Sequence, residues 1–272
     1  MNRGVVLCFL AVVLVSFGLL GFAGERVPHE AIVITNDYEF TPENGVCSGS
    51  GTLDDPYVIS GWVIDAGYDE YAIRIHRTTR SFVIRDVEIS GASKSAIYLS
   101  YVHNASVEDC VLIGNWVGIT LNFCRFSRVA GCLISDSTDG IHAYFSSNNV
   151  FFGNRFEKND TSIWLDACDK NELRNNYVSS SHMGLYLNLG SEENLILRNA
   201  FVDNLHHAHA DDPNLWDDGA AGNYWEGFET LDRDEDGIWD DPHRINSQGD
   251  QDNFPLVEHP LVPTPEPATC ST

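Results

Sequence analysis

The sequence predicts an all-β fold: a right-handed, single-stranded parallel β-helix, a solenoid of about 22-residue coils with an N-terminal cap and a C-terminal acidic loop segment. Two observations carry this expectation. An apolar-x-apolar pair recurs as Ile73/Ile75, Ile97/Leu99, Ile119/Leu121, Ile141/Ala143, Ile163/Leu165 and Leu185/Leu187, stepping by 24 residues once and then by 22 four times. Each pair is followed at matching intervals by two more short β-rich runs, while no run shows the longer 3.6-residue periodicity of a helical solenoid.

The elements follow in order within each coil. The apolar pair opens it, with one residue outward between two inward ones. A second strand is expected at Val107, Val129, Phe151, Leu173 and Ile196, and a third near Val111, Leu133, Arg155, Tyr177 and Ala200. Gly118, Gly140 and Gly184 stand directly before the pair, where a sharp corner would favour positive φ. No single coil can bury its own apolar face, so the coils must stack, and residues one period apart then lie about 4.8 Å from one another.

Stacking turns spacing into chemistry. Asn154, Asn176 and Asn199 fall in one column, an internal amide ladder, with Cys132 and Cys110 below them. Two cysteines so placed are near enough for a disulfide, but parallel Cβ vectors are awkward for one; buried free thiols, a bridge and metal ligation all stay open. Cys124 and Cys168 share another column two coils apart, roughly 9.6 Å, too far to bond.

Around the coils, the 272 residues read as one domain. Residues 1–23 form an export signal, with Arg3 ahead of the apolar run Val5 to Phe22 and small residues before Gly24; the run also reaches the length of an uncleaved anchor. Residues 24–70 make the cap and first coil, 71–210 the repeats, 211–259 a capping segment with the acidic loop, and 260–272 a flexible proline-containing tail. The domain is therefore expected outside the cytoplasm, in the periplasm, at the cell surface or secreted. The sequons at Asn104 and Asn159 would be open to glycosylation. A net charge of −24 disfavours nucleic acid and anionic lipid as partners and favours cations or neutral ligands; membrane attachment would run only through the N-terminal segment.

Two flanking regions carry a resemblance. Gly49 to Gly61 precedes the coils; Asn214 to Gly219, Gly222 to Trp225, Asp232 to Ile238, Asp241-Pro242 and Asp252 to Leu256 follow them. Together they resemble the NosD-type family of parallel β-helix repeat proteins, often labelled periplasmic copper-binding proteins. The resemblance implies a right-handed β-helix outside the cytoplasm, in some members tied to maturation of a copper enzyme. It supplies no family-wide set of copper ligands.

Three candidate sites stand out. Asp232, Asp234, Asp236, Ile238 through its carbonyl, and Asp240 alternate around a turn glycine as in a calcium loop, although His243 stands where an EF-hand would place its closing glutamate. His206, His207 and His209 form the densest imidazole cluster, a candidate copper site in which His207 and His209 share a side if the stretch is extended. The outward columns of the first strand place Tyr98, His142, Trp164 and Tyr186 beside Tyr144, Asp166 and Asn188, rings next to hydrogen-bonding groups as an extended glycan requires. The expected function is a surface carbohydrate-binding module taking a polysaccharide or surface glycan. Alternatives are an accessory protein in copper-site maturation, whose partner would be a copper enzyme or its maturation complex, and a polysaccharide lyase or hydrolase. Asp166 is the one carboxylate expected mid-strip, with Asp139 and Asp169 at nearby corners, which is thin support for catalysis.

Overall fold

The structure, a computed structural model, describes residues 26–247 and 249–260. The export segment, the expected start at Gly24, Cys8, Cys270 and the tail beyond Pro260 lie outside the described residues. The successive coils build three sheets of eight, eight and nine strands, parallel throughout except where Val46–Ser48 pairs antiparallel with Tyr57–Ser60, and a separate two-stranded antiparallel ribbon joins His243–Arg244 to Gln251–Asp252. A single 3-10 turn, Pro42–Asn44, is the only helical element among the described residues, and none of their helices is long and apolar enough to cross a membrane. The first sheet runs from Ile32–Ile34 through Tyr71–His76, Ser95–Ser100, Val117–Asn122, Asp139–Tyr144, Thr161–Asp166 and Met183–Asn188 to His206–Ala210. Its register confirms the repeat, since Ile97, Ile119, Ile141, Ile163 and Leu185 stack in one buried row. The second and third strands fall where expected, with Val107, Val129, Phe151, Leu173 and Ile196 in one row and Leu133, Arg155, Tyr177 and Ala200 in the other. The core is this continuous column of aliphatic and phenylalanine side chains, and each coil's apolar face meets water only if its neighbour is removed.

The glycines before the apolar pair serve a different purpose from the one expected. Gly118, Gly140 and Gly184 have no positive φ; they lie inside the first-sheet strands at a position skipped by the pairing register. There the chain approaches the next coil so closely that a Cβ on Gly140 would lie 2.4 Å from the Ser162 carbonyl oxygen, and one on Gly184 2.4 Å from that of His207. Steric exclusion, not backbone conformation, requires glycine. Positive φ falls instead on the corner after the strand, at Arg77, Tyr101, Phe123, Phe145, Ala167 and Leu189.

The amide ladder extends further than spacing revealed. Asn154, Asn176 and Asn199 each donate from Nδ2 to the Oδ1 of the asparagine one coil above, at 3.0, 2.9 and 2.9 Å, and Asn223 completes the run. The buried Asp252 ends it by accepting the Asn223 backbone N–H at 2.7 Å and the Trp225 indole N–H at 2.9 Å. Burial pushes the Asp252 carboxyl up to about 6 against these donors. A second ladder, Asn149, Asn171, Asn194 and Asn214, stands at another corner with spacings of 3.1, 3.0 and 3.0 Å. Both satisfy corner amides that strand pairing leaves over. Asn159 belongs to a related column: its Oδ1 accepts the Ser137 N–H and its Nδ2 donates to the Ile134 carbonyl, so the sequon at Asn159 is buried, while Asn104 is exposed. Cys110, Cys124, Cys132 and Cys168 are buried free thiols. Ser146 fills the rung between Cys124 and Cys168, and burial pushes those two thiols up to about 11 and about 12 and that of Cys132 well above its ordinary value. All three are held protonated and inert.

Candidate functional site

The outward face of the first sheet brings the expected strip together, but as a packed layer. His142 stacks on Tyr144 at 4.0 Å and on Trp164 at 4.3 Å; the edge of Tyr186 meets Trp164, and His209 continues the row at 5.2 Å. His142 and Asp166, expected as exposed ligand groups, are therefore 7% and 8% exposed. Neighbouring rungs lie one strand spacing apart, so flat rings cover one another instead of waiting for a ligand. Trp164 has one face on His142, the edge of Tyr186 against it, and its indole N–H donated to Asp166 at 2.8 Å.

Asp139 is the residue that spacing misplaced. It sits within the strand, not at a corner, and Oδ2 lies 3.1 Å from His142 Nδ1. Residues three apart on a regular strand point to opposite faces; the skip at Gly140 turns Asp139 back to the outward side. Tyr144 Oη also meets Nδ1, at 2.9 Å, and Asp166 Oδ2 faces Nε2 at 3.5 Å. The imidazole is held between two carboxylates. Burial, reinforced by Asp166 and Asp139, pushes the Tyr144 hydroxyl up to about 12, so it stays a hydrogen-bond donor. Below this cluster the face opens into a groove of about 280 Å³ lined by Tyr98, Thr120, Asn122, Tyr144 and Phe145, with Asn122 Nδ2 donating to Tyr98 Oη at 3.2 Å. Asn188, one coil above Asp166, lies outside that groove.

The three histidines of His206–Ala210 diverge. His207 occupies the skipped position: its Nε2 meets the Glu226 carbonyl at 3.0 Å and its ring lies near Phe201 and Trp225. His209 faces outward with Nε2 3.0 Å from Asp211 Oδ1, and His206 stands 5.7 Å from His182. The expectation that His207 and His209 share a side fails because the register skip reverses the alternation between them.

The acidic loop does converge. Asp232, Asp234 and Asp236 each place a carboxylate oxygen within 4.8 Å of the others, the only such group of three among the described residues. Asp232 accepts the backbone N–H groups of Asp236 and Gly237, both at 3.2 Å. Asp234, Asp236, Ile238 and Asp240 line one small hollow, but Asp240 is paired with Arg233 at 3.0 Å. The guanidinium thus shares the Asp240 carboxylate, which with Asp241 is one of the two that could complete such a shell.

Comparison with known proteins gives the chain's family. A family model described as "Periplasmic copper-binding protein (NosD)" matches residues 31–230. Two curated proteins, each named "Probable ABC transporter binding protein NosD", are similar. The one from Pseudomonas aeruginosa is 27% identical over 155 residues, 56% of this chain and 33% of its own; the one from Stutzerimonas stutzeri is 28% identical over 136 residues, 49% and 30%. The chain thus spans about a third of the length of these relatives. Among solved structures, DFA-IIIase from Arthrobacter chlorophenolicus A6 is similar at TM-score 0.41 and 14% identity, covering 59% of this chain and 44% of that one. Alginate lyase from Paenibacillus sp. str. FPU-7 is similar at TM-score 0.33 and 12% identity, covering 75% and 99%. With most of its coils inside the matched span, the chain belongs to the NosD family of periplasmic proteins and is extracytoplasmic.

Proposed function

We propose that this extracytoplasmic β-helix binds a surface polysaccharide along the outward face of its first sheet, in the groove between Tyr98 and Tyr144. The observation that carries this reading is the composition of that groove: two phenol rings and the Phe145 ring beside the Asn122 amide and the Thr120 hydroxyl. Sugar C–H faces need rings and sugar hydroxyls need fixed polar partners, and both are present on a backbone held by parallel pairing on either side. His142, itself stacked on Trp164, backs the Tyr144 ring and holds it in place, with Tyr186 edge-on to the far side of Trp164. Retention on polysaccharide-containing gels tests the reading. Tyr98→Ala and Tyr144→Ala should each weaken retention at least tenfold with the melting temperature kept within a few degrees, and unchanged retention in both variants would sink it.

A second reading, copper binding, is favoured by the family's description. The imidazoles that face each other are His182 and His206, on adjacent coils, and not His207 and His209. Copper titration of the parent and of His182→Ala/His206→Ala tests it, and equal affinity in the two would count against this pair. Calcium is the ion we assign to Asp232, Asp234 and Asp236, with the Ile238 carbonyl as a further oxygen, because clustered carboxylates repel until a cation neutralises them. Millimolar calcium should raise the melting temperature through linkage, and equal curves in calcium and in chelator would refute the assignment.

A further inference from the structure

A second concavity lies at the opposite edge of the first sheet, where the chain turns from the third-sheet strand into the next coil. The corner residue there is Gly91, then Gly114, Asp136 and Lys158 on successive coils, all at positive φ. Two glycines in succession leave the corner without side chains, and a groove of about 690 Å³ results. Trp116 and Tyr68 stand beside it, 60% and 87% exposed. The backbone of Trp116 is fixed, its N–H donated to the Ala92 carbonyl at 2.9 Å and its carbonyl accepting the Asp139 N–H at 3.0 Å. Its indole makes no ring contact and no side-chain hydrogen bond among the described residues, unlike Trp62, Trp164, Trp216 and Trp225.

The rim is polar and of mixed sign. Lys158 offers an ammonium that no carboxylate of the described residues pairs, and Asp136, Asp160 and Thr138 offer oxygens. An apolar peptide seated on Trp116 would bury these charges without partners. An anionic sugar would meet two carboxylates and one ammonium on a chain of net charge −24. A neutral pyranose meets neither obstacle: its C–H face covers the indole, and its hydroxyls both donate to carboxylates and accept from the ammonium.

We propose that this corner groove is a binding site for a neutral hexopyranose, stacked on Trp116 and hydrogen-bonded by Asp136, Lys158 and Asp160. The site stands apart from the sheet-face groove and does not depend on it. With two sites on one rigid scaffold, a long glycan bridging both would gain avidity beyond either alone.

Gluco-, manno- and galacto-hexaoses titrated into the full chain, read by tryptophan fluorescence and calorimetry, test the proposal. At least one should bind with a change in indole emission. Trp116→Ala should lower its affinity at least tenfold. Gly114→Asn should do the same by filling the groove, because asparagine tolerates the left-handed conformation and a Cβ there meets nothing within 4 Å. Trp116 is exposed, so its variant remains decisive even if Gly114→Asn lowers stability. Unchanged affinity in a folded Trp116→Ala, or no binding of any of the three by the parent, overturns the proposal. Loss in Tyr98→Ala and Tyr144→Ala but not in Trp116→Ala assigns the sugar to the sheet face alone. Loss only in Trp116→Ala upholds the corner groove as a site of its own, and the retention assay on Tyr98→Ala and Tyr144→Ala decides the sheet face separately.

Discussion

Replacing Asn176 by alanine tests whether the amide ladder is a principal source of the solenoid's stability. Asn176 is fully buried, its Oδ1 accepts both the backbone N–H and the Nδ2–H of Asn154 at 3.0 Å, and its Nδ2 donates to the Phe151 carbonyl and to Asn199 Oδ1, each at 2.9 Å. Alanine removes all four bonds. Two buried donors of Asn154 then lack an acceptor, at about 1–3 kcal/mol each, so the loss should be about 2–6 kcal/mol. That is a large part of the roughly 5–15 kcal/mol available to a folded domain. Asn214, at the half-buried end of the second ladder, can be replaced by solvent, and its alanine variant should lose only about 1 kcal/mol. Urea unfolding followed by far-ultraviolet circular dichroism reads both values, provided the slope is unchanged. A loss below about 0.5 kcal/mol in Asn176→Ala, or equal losses in the two variants, would refute the reasoning.

Asp252 makes stability depend on pH in a stated direction. Its folded pKa is raised to about 6 from an ordinary 3.8, so its favourable contribution is complete below 3.8 and is lost as pH rises through about 6. The stability difference between the parent and Asp252→Ala should shift against the parent by roughly 3 kcal/mol from pH 3.5 to 7, and a difference flat with pH would contradict the burial argument. Gly140→Ala should cost several kcal/mol or prevent folding, because its Cβ would meet Ser162 O at 2.4 Å and Phe156 Cδ1 at 2.8 Å. Gly153→Asn should be nearly neutral, since φ is +63° and the space is open, and reversal of this order in thermal melts would restore the corner role that spacing assigned to Gly140. Ile141→Asp, placing a charge at a position with no exposure, should unfold the coils around it, and a parent-like melt would remove the inward assignment of its row.

What the amino-acid sequence determined by itself is the winding. A 22-residue interval with period-two alternation permits one arrangement in which every apolar row is covered, so the inward rows, the three strands per coil and the first asparagine column were legible without coordinates. The second ladder carried the same signal, asparagines at 149, 171 and 194, and was open to the same reading. Direction and exposure on the outward face were decided only in the tertiary structure. Strand alternation fails at the skipped position of the first-sheet strands from Tyr71–His76 onward, and that local break sends His207 toward Trp225, turns Asp139 onto His142, and makes Gly140 a matter of contact with the next coil. Exposure depends on which side chains occupy the rungs above and below: rings one strand spacing apart bury His142 and Asp166, while two glycines below Asp136 leave Trp116 open to solvent. A one-dimensional repeat specifies which residues become neighbours; the shapes of those neighbours determine which of them a ligand can reach.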